Sequence, residues 1–261
     1  MNGTIQSLLL GAYRLVRKSG VLDTEGGRRC FEAAYDLYKG SLEARNVRQL
    51  RTFVKPGSTV IDVGANVGFF TIRFAEWTGK SGCVLAIEPE EANIRRLRHR
   101  ISRRALDPIV QIIPAAATET PGTVMLAIDP DHPGNHHLAE TGAPVEAVTV
   151  DSLLAERACP PVSLIKIDVQ GAEQDVIAGA AKTLETFRPA LFVEVDLRAL
   201  AAMGHSPHTL FERLERHGYR IHRLGNDGPS PPVTPGEVLA SLARGSGYGD
   251  FLFLNAAEDR S

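Results

Sequence analysis

The chain has 261 residues, 43% of them hydrophobic and 23% charged, with a formal net charge of −2. This length suits one large α/β domain with a substantial core, and a charge so close to zero gives no reason to expect nucleic acid or an anionic membrane as a partner. The three cysteines, Cys30, Cys83 and Cys159, are widely spaced and form no CxxC pair. A disulfide framework and a cysteine-based zinc site are therefore not expected.

The first 56 residues predict a helical cap that is part of the same domain as residues 57–261. Helices are expected at about 4–18, 30–38 and 42–54. The apolar run at 5–10 is too short for a secretory signal and its basic residues follow it, and no stretch reaches the roughly 20 apolar residues that span a bilayer. The apolar stripe of the first helix could lie on a membrane surface, but packing on its own domain is favoured. We expect a cytoplasmic protein without stable membrane insertion, and an oligomer is possible.

From residue 57 the pattern alternates between short apolar strands and helices. Strands are expected at 59–63, 84–87 and 109–113, with one helix ending near Trp77 and a second at about 92–102. This alternation predicts a parallel sheet with right-handed crossovers. In such a sheet the ligand lies beyond the carboxyl ends of the strands, where the strand order reverses.

The second half of the chain adds further strands to this pattern. Two extra strands at about 122–128 and 144–150 flank a polar loop, and 225–249 reads as a Pro/Gly-rich surface loop. The remaining elements are strands at 164–168, 190–194, 218–223 and 250–254 and helices at about 173–186 and 206–217.

The strongest local signal is the segment DVGANVG at 62–68, directly after the first strand. Gly64 lets the backbone turn sharply and lets a ligand approach the main chain. A dinucleotide fingerprint would need glycines at 64, 66 and 69, and two of these positions hold Asn66 and Phe69. An acidic residue two before the first glycine suits S-adenosylmethionine better, because Asp62 could bind its ammonium group. The residues expected to bind this cofactor in the segment are Asp62, Gly64, Ala65, Asn66 and Gly68.

Glu88 ends the second strand and completes the predicted nucleotide site. A carboxylate there can accept hydrogen bonds from both ribose hydroxyls and would repel a 2′-phosphate. The alternative is that Asp62 and Glu88 only cap neighbouring helices. The nucleotide interpretation is favoured because both acids lie at strand ends of the first βαβ unit.

Five segments of the sequence together resemble one family. They are VIDVGANVGFF (60–70), AIEP (86–89), VTVDSL (148–153), IKIDVQGAE (165–173) and VEVD (193–196), and their order is similar to that of FkbM-type methyltransferases. The resemblance implies a Rossmann-like, doubly wound, seven-stranded and mostly parallel sheet whose antiparallel last strand is inserted between two others. It also implies S-adenosylmethionine as methyl donor and a hydroxyl of a small molecule or glycan as acceptor. Gln170 departs from the family, which commonly has glutamate there, and is given no catalytic role.

An alcohol acceptor must lose its proton during methyl transfer, so a general base is sought near the strand ends. Asp168 ends the fourth core strand and is the first candidate. His136 and His137, between the two extra strands, are the best histidine candidates because a neutral imidazole could accept the proton. Ordinary loop histidines are the favoured alternative for these two.

A hard cation such as Mg²⁺ could be held by three oxygen ligands, for which the candidates are Asp168, Glu194 and Asp196. The favoured alternative is that Lys166 pairs with one of these acids while the others are solvated or cap helices. No metal site is therefore predicted, and the three acids stay candidates.

Other functions stay open at this point. An arginine-rich stretch at 95–104 invites a nucleic-acid hypothesis, but the arginines are spread around a helix without interleaved aromatics, so a solvated face is favoured. A nitrogen or carboxylate acceptor, a nicotinamide-dependent dehydrogenase and a nucleotide-binding module without chemistry are the alternatives to O-methylation.

Overall fold

The computed structural model describes residues 47–129, 136–225 and 227–256. The helices expected at 4–18 and 30–38 lie outside the described residues, so the helical cap stays a prediction. Of the helix expected at 42–54, residues 47–50 are helical and Arg51–Phe53 form a 3₁₀ turn. Leu50 is buried against the central sheet.

The elements of the described ranges alternate as the sequence predicts. The strands are β1 (Thr59–Val63), β2 (Cys83–Ile87), β3 (Val110–Ile113), β4 (Ala116–Ala117), β5 (Gly122–Ala127), β6 (His137–Ala139), β7 (Ala143–Val148), β8 (Val162–Ile167), β9 (Ala190–Asp196), β10 (Tyr219–His222), β11 (Leu224–Gly225), β12 (Gly228–Pro229) and β13 (Tyr248–Asn255). The α-helices with two described ends are α1 (Phe69–Thr78), α2 (Glu91–Arg103), α3 (Val150–Ala155), α4 (Glu173–Ala178), α5 (Ala181–Phe187), α6 (Leu197–Ala202), α7 (Pro207–Arg216) and α8 (Pro235–Arg244).

The central sheet has seven strands in the order β10-β13-β9-β8-β1-β2-β3. Strands β3, β2, β1, β8 and β9 pair in parallel, whereas β13 pairs antiparallel with β9 and β10 on either side of it. The predicted class, a Rossmann-like and mostly parallel sheet with an inserted antiparallel last strand, is confirmed. The order reverses at β1, between β2 and β8, and ligand sites of such sheets lie at this reversal.

Both faces of the sheet are covered, which explains why its strands are continuously apolar. Every residue of β1, β2 and β8 is buried. On one face Val60 and Leu164 pack with Phe74 of α1 and Leu97 of α2. On the other face Ile61 packs within a cluster that includes residues of α4, α5, α7 and α8. The fold is therefore doubly wound.

The extra strands expected between the third and fourth core strands form a small sheet of their own, in the order β4-β7-β5-β6. Strand β5 pairs antiparallel with both β6 and β7. Because β4 follows β3 directly, this inserted sheet stands beside the carboxyl ends of the central strands.

Three details differ from the sequence-based expectations. The loop expected at 225–249 contains helix α8, whose start is fixed by Pro235 and by a capping box between Thr234 and Glu237. The helix expected at 173–186 is divided into α4 and α5. The strand expected at 144–150 ends at Val148, because the Thr149 side chain accepts the N–H of Ser152 and starts α3.

Among the helices of the described residues, none has the length and apolar composition needed to cross a membrane.

Candidate active site

A cleft with about 620 Å³ of open space lies where the order of the central strands reverses. Its walls come from the ends of β1, β2 and β8 and from the inserted sheet. The lining residues are Val63, Gly64, Asn66, Ile87, Glu88, Pro89, Asn93, Ala115, Ala116, Ala117, Leu126, His136, His137, Leu138, Asp168, Val169, Gln170 and Ala172.

The turn after β1 requires glycine at two positions. Gly64 has φ +74°, and a Cβ there would come within 1.9 Å of the Asp168 carbonyl oxygen. Gly68 has φ +86°, and a Cβ there would meet the Leu97 side chain at 2.4 Å. The sharp turn expected at Gly64 is present. The close approach at both glycines, however, is to the protein's own β8 loop and helix α2.

Of the residues of the turn, Gly64 and Asn66 face the cleft, whereas Ala65 and Gly68 do not line it. The N–H groups of Gly64 and Ala65 both donate to the Ile87 carbonyl, which ties the turn to the end of β2. Asn66 has φ +50° and donates its N–H to Oε2 of Glu88 at 2.8 Å. The turn and the β2 carboxylate therefore form one hydrogen-bonded wall.

Glu88 is a carboxylate built into that wall. It is 5% exposed, and its Oε1 accepts the Glu90 N–H at 3.0 Å and the Asn93 amide at 3.4 Å. Burial raises the pKa of Glu88 to about 6, although these donors partly oppose the shift. Glu88 itself does not cap α2, because Glu90 does so by accepting the N–H groups of Ala92 and Asn93.

The hydrogen-bonding groups of the cleft fit an adenosyl group. Asn66, Glu90 and Asn93 occupy three of the four lone pairs of the Glu88 carboxylate, which leaves one at Oε2 for a hydroxyl donor, and the small side chains of Ala115, Ala116 and Ala117 line the same cleft. Asn66 lines the same cleft, with its N–H donated to Glu88 and its Oδ1 accepting the Val67 N–H at 2.7 Å. The expected ribose contact at Glu88 is therefore chemically possible.

Asp62 does not line the cleft, so the expected contact with a ligand ammonium group lacks support from the geometry. Asp62 is 0% exposed and accepts a hydrogen bond from the Thr71 hydroxyl at 2.6 Å. Its Oδ1 makes no hydrogen bond and lies 3.5 Å from Nζ of Lys166. A charge inside the protein needs such a cation, and Lys166 also donates to the Gly64 carbonyl at 2.8 Å. Asp62 thus supports the turn from behind.

Asp168 faces the cleft and is held on both carboxylate oxygens. Oδ2 lies 3.5 Å from Nζ of Lys166, and Oδ1 accepts a hydrogen bond from Nε2 of Gln170 at 3.3 Å. Lys166 is 3% exposed and stands between Asp62 and Asp168. The predicted pairing of Lys166 with a neighbouring acid is present.

The acids proposed as metal ligands have other partners. Glu194 accepts a hydrogen bond from Nε2 of Gln170 at 2.9 Å. Asp196 caps α6 by accepting the N–H groups of Arg198 and Ala199. Within residues 47–129, 136–225 and 227–256 no three acidic, histidine or cysteine side chains are grouped as a metal site requires. The Mg²⁺ hypothesis therefore finds no support in the geometry.

Both candidate histidines line the cleft. Nδ1 of His136 accepts the backbone N–H of Asp129 at 3.1 Å. A neutral ring that accepts at Nδ1 carries its proton on Nε2, so His136 presents a donor and is a poor general base. His137 lies in β6 opposite Ala127, and its role as a base stays a prediction.

Two residues that the sequence analysis did not single out stabilise the site. Arg100, from the arginine-rich stretch, is 1% exposed and donates to the Val67 carbonyl at 3.0 Å, so this part of the stretch is not a solvated face. Glu173 is 2% exposed and accepts the N–H groups of Val169 and Gly171. Burial raises the pKa of Glu173 to about 7, and the nearby Asp168 charge adds to the shift. Each residue had a signal in the sequence. Arg100 lies one helical turn after the apolar Leu97, and Glu173 ends the GAE segment.

The strand order, the inserted antiparallel last strand and a cleft at the β1 reversal define the class I methyltransferase fold. The family model described as the methyltransferase FkbM domain matches residues 62–221. The chain therefore belongs to the FkbM methyltransferase family, as the sequence resemblance predicts.

The individual relatives share low sequence identity with this chain. The chain is 28% identical to the 31-O-demethyl-FK506 methyltransferase FkbM of Streptomyces tacrolimicus, over 48% of this chain and 60% of that protein, so the match spans less than two thirds of the relative. The structure of a methyltransferase FkbM from Methylobacillus flagellatus has a TM-score of 0.46 at 18% identity, covering 77% of this chain and 44% of that one. An O-methyltransferase from Bacillus cereus in complex with SAH has a TM-score of 0.44 at 15% identity, covering 82% and 81%.

Proposed function

We propose that this methyltransferase uses S-adenosylmethionine to methylate a hydroxyl group of a secondary metabolite or saccharide. The observation that carries the proposal is the buried Glu88 carboxylate in the cleft wall, hydrogen-bonded to the turn at Asn66. A ligand beside this wall can donate a hydrogen bond to the remaining lone pair of Oε2, as a ribose hydroxyl does. A nicotinamide dinucleotide is disfavoured by Asn66 and Phe69 at the positions of its glycines and by the methyltransferase family of the chain.

S-adenosylmethionine supplies an electrophilic methyl group on a sulfonium, so positioning accounts for much of the catalysis. The residues of this chain then have to hold the acceptor and take its proton. Asp168 lies on the cleft wall, and Nζ of Lys166 lies 3.5 Å from its Oδ2. Asp168 is therefore the proposed proton acceptor, at Oδ1 or Oδ2.

Oxygen is proposed as the methylated atom because the characterised relative is described as a methyltransferase of an O-demethyl compound. The acceptor class can be tested by transfer of a labelled methyl group to a panel of hydroxylated metabolites, saccharides, amines and carboxylates. Labelling of hydroxyl compounds alone is the expected outcome. Labelling confined to amines or carboxylates would refute the O-methyl assignment and leave the methyltransferase class intact.

The cofactor proposal is tested by calorimetry with S-adenosylmethionine, S-adenosylhomocysteine and NAD. We expect binding of the two adenosyl ligands and none of NAD. Glu88→Ala should weaken adenosyl binding by roughly tenfold to a hundredfold, because one hydrogen bond to a charged group is worth about 1.5–3 kcal/mol. Glu91→Ala is the matched control, since Glu91 is an exposed residue of α2 paired with Arg95. Equal affinity of Glu88→Ala and wild type would overturn the ribose role.

A further inference from the structure

Gln170 joins two carboxylates from neighbouring strands at the edge of the cleft. Its Nε2 donates to Oε2 of Glu194 at 2.9 Å and to Oδ1 of Asp168 at 3.3 Å. Gln170 lies in the turn after β8 with φ +53°, a left-handed conformation that aims its side chain back across the two strand ends. We propose that Gln170 is a positioning residue for methyl transfer, which fixes the Asp168 carboxylate at the cleft. This inference rests on the proposed role of Asp168.

The chemistry of an amide suits this place. A glutamine NH₂ group has two hydrogens, so it can donate to two carboxylates at once. Asp168 and Glu194 lie next to each other on the neighbouring strands β8 and β9, because the residues before them, Ile167 and Val193, are paired. Like charges at neighbouring strand positions repel each other. The shared amide offsets that repulsion without adding a charge of its own.

Lys166 and Gln170 contact different oxygens of Asp168. Lys166 lies at Oδ2, and Gln170 donates to Oδ1. Together they determine both the direction and the tilt of the carboxylate plane at the cleft. A proton acceptor held in one geometry needs less reorganisation when the acceptor hydroxyl arrives.

The same distances allow a comparison with a carboxylate at position 170. Neighbouring oxygen ligands of Mg²⁺ at about 2.1 Å are separated by roughly 3 Å in an octahedral site. The 2.9 and 3.3 Å separations around Nε2 are close to that value. With a carboxylate at position 170, three acids would converge, and a divalent cation would have to balance them. In this chain the Gln170 amide joins the two carboxylates by hydrogen bonds.

The first test uses Mn²⁺ as the probe and needs no acceptor. Free Mn²⁺ is measured by electron paramagnetic resonance with the full chain, as wild type, Gln170→Glu, and Gln170→Glu combined with Asp168→Asn. Gln170→Glu should bind one Mn²⁺ about tenfold more tightly than wild type, and the double variant should lose the gain. No gain in Gln170→Glu would show that the three side chains do not converge, and would overturn the inference.

The second test compares turnover with cofactor affinity, on an acceptor from the labelled-methyl panel. Gln170→Met, which keeps the volume and removes both hydrogen bonds, should lower kcat about tenfold while the Kd for S-adenosylmethionine changes by less than about twofold. Gln170→Glu should be slow and regain rate with Mg²⁺, whereas the wild-type rate should not change in excess EDTA. Gln111→Met is the control, because Gln111 lies in β3 beside Cys83 and not at the cleft.

The outcomes separate this inference from the function on which it rests. If Asp168→Asn is slow and Gln170→Met turns over at the wild-type rate, the positioning role is wrong and the proposed function stands. If Asp168→Asn is itself at the wild-type rate, the role of Asp168 is wrong, and the positioning role is lost with it. A changed cofactor affinity in Gln170→Met would show that Gln170 contacts the cofactor instead.

Discussion

Glu88 combines two opposing requirements in a single side chain. Its burial favours the protonated form, whereas the N–H groups of Asn66 and Glu90 favour the carboxylate, and burial is the larger effect. A ribose hydroxyl would add a further donor to the ionised form. Ligand binding and ionisation of Glu88 should therefore be coupled.

We expect the affinity for S-adenosylmethionine to fall as the pH drops below about 6, which is the pKa of Glu88 in the free protein. Above this pKa the carboxylate is ready to accept a ribose hydroxyl; below it binding has to release a proton, at a cost approaching about 1.4 kcal/mol per pH unit. Calorimetry at pH 5, 6, 7 and 8 measures the effect. Glu88→Gln should bind weakly with no such dependence. An affinity of the wild type that is constant from pH 5 to 8 would contradict the coupling.

At the scale of elements, the segment from Asp168 to Glu173 carries the proposed proton acceptor and the side chain that holds its turn. It begins at the end of β8 and ends in the first turn of α4. Oε1 of Glu173 accepts the N–H groups of Val169 and Gly171, while Oε2 makes no hydrogen bond. Glu173 thereby closes the turn that carries Gln170, with one oxygen buried and unbonded.

The buried Glu173 should make the stability of the protein fall as the pH rises. Its folded pKa of about 7 is above the ordinary value of 4.5, so between these values the folded state holds a proton that the unfolded state has lost. Its contribution is complete below pH 4.5 and is lost as the pH rises through 7, up to about 3 kcal/mol. Glu173→Gln resembles the protonated acid and should remove this dependence.

Urea unfolding at pH 5, 6, 7 and 8 measures this pH dependence. The readout is the difference in the free energy of unfolding between Glu173→Gln and wild type. Glu185→Gln on α5 is the control, because Glu185 is exposed. Parallel pH profiles for wild type and Glu173→Gln would contradict the assignment.

How far the sequence predicts this molecule depends on the kind of residue. Strands such as β1 and β2 are predictable because parallel strands buried on both faces are continuous apolar runs. The cleft residues Asn66 and Glu88 are predictable because strand ends at the order reversal meet at one place. Asp62 is different: its position at a strand end is predictable, but its pairing with Lys166 depends on the register of β1 and β8.

Some other features leave a signal in the sequence that is hard to see. Others depend on packing alone. Helix α8 follows a Thr-x-x-Glu capping signal at Thr234, which the Pro/Gly content of that region obscured. The bridge by Gln170 depends on the spacing of β8 and β9 and on a left-handed turn, and neither is visible in the sequence. Side chains that join separate strands are therefore the part of the site that needs coordinates.

At the scale of the whole molecule, the cleft joins two sheets that share no strand. The central sheet contributes the ends of β1, β2 and β8, and the inserted sheet contributes Leu126, His136, His137 and Leu138. A ligand in the cleft contacts both sheets, so its binding energy should stabilise their contact. Since a ligand at about 100 times its Kd adds about 2.7 kcal/mol to the folded state, the effect is large enough to measure.

We expect S-adenosylhomocysteine to slow amide hydrogen exchange in β5, β6 and β7 as well as in the turn at 63–66. Amides exchange when a segment opens locally, and a ligand that contacts both walls of the cleft should oppose such opening. Strand β10, at the edge of the central sheet away from the cleft, is the internal control and should change least. Glu88→Ala at the same ligand concentration should lose the protection in both sheets together, whereas Glu91→Ala should keep it. Protection confined to residues 63–66 and 88 would mean that the inserted sheet takes no part in holding the cofactor, and that His137 and its neighbours face the acceptor alone.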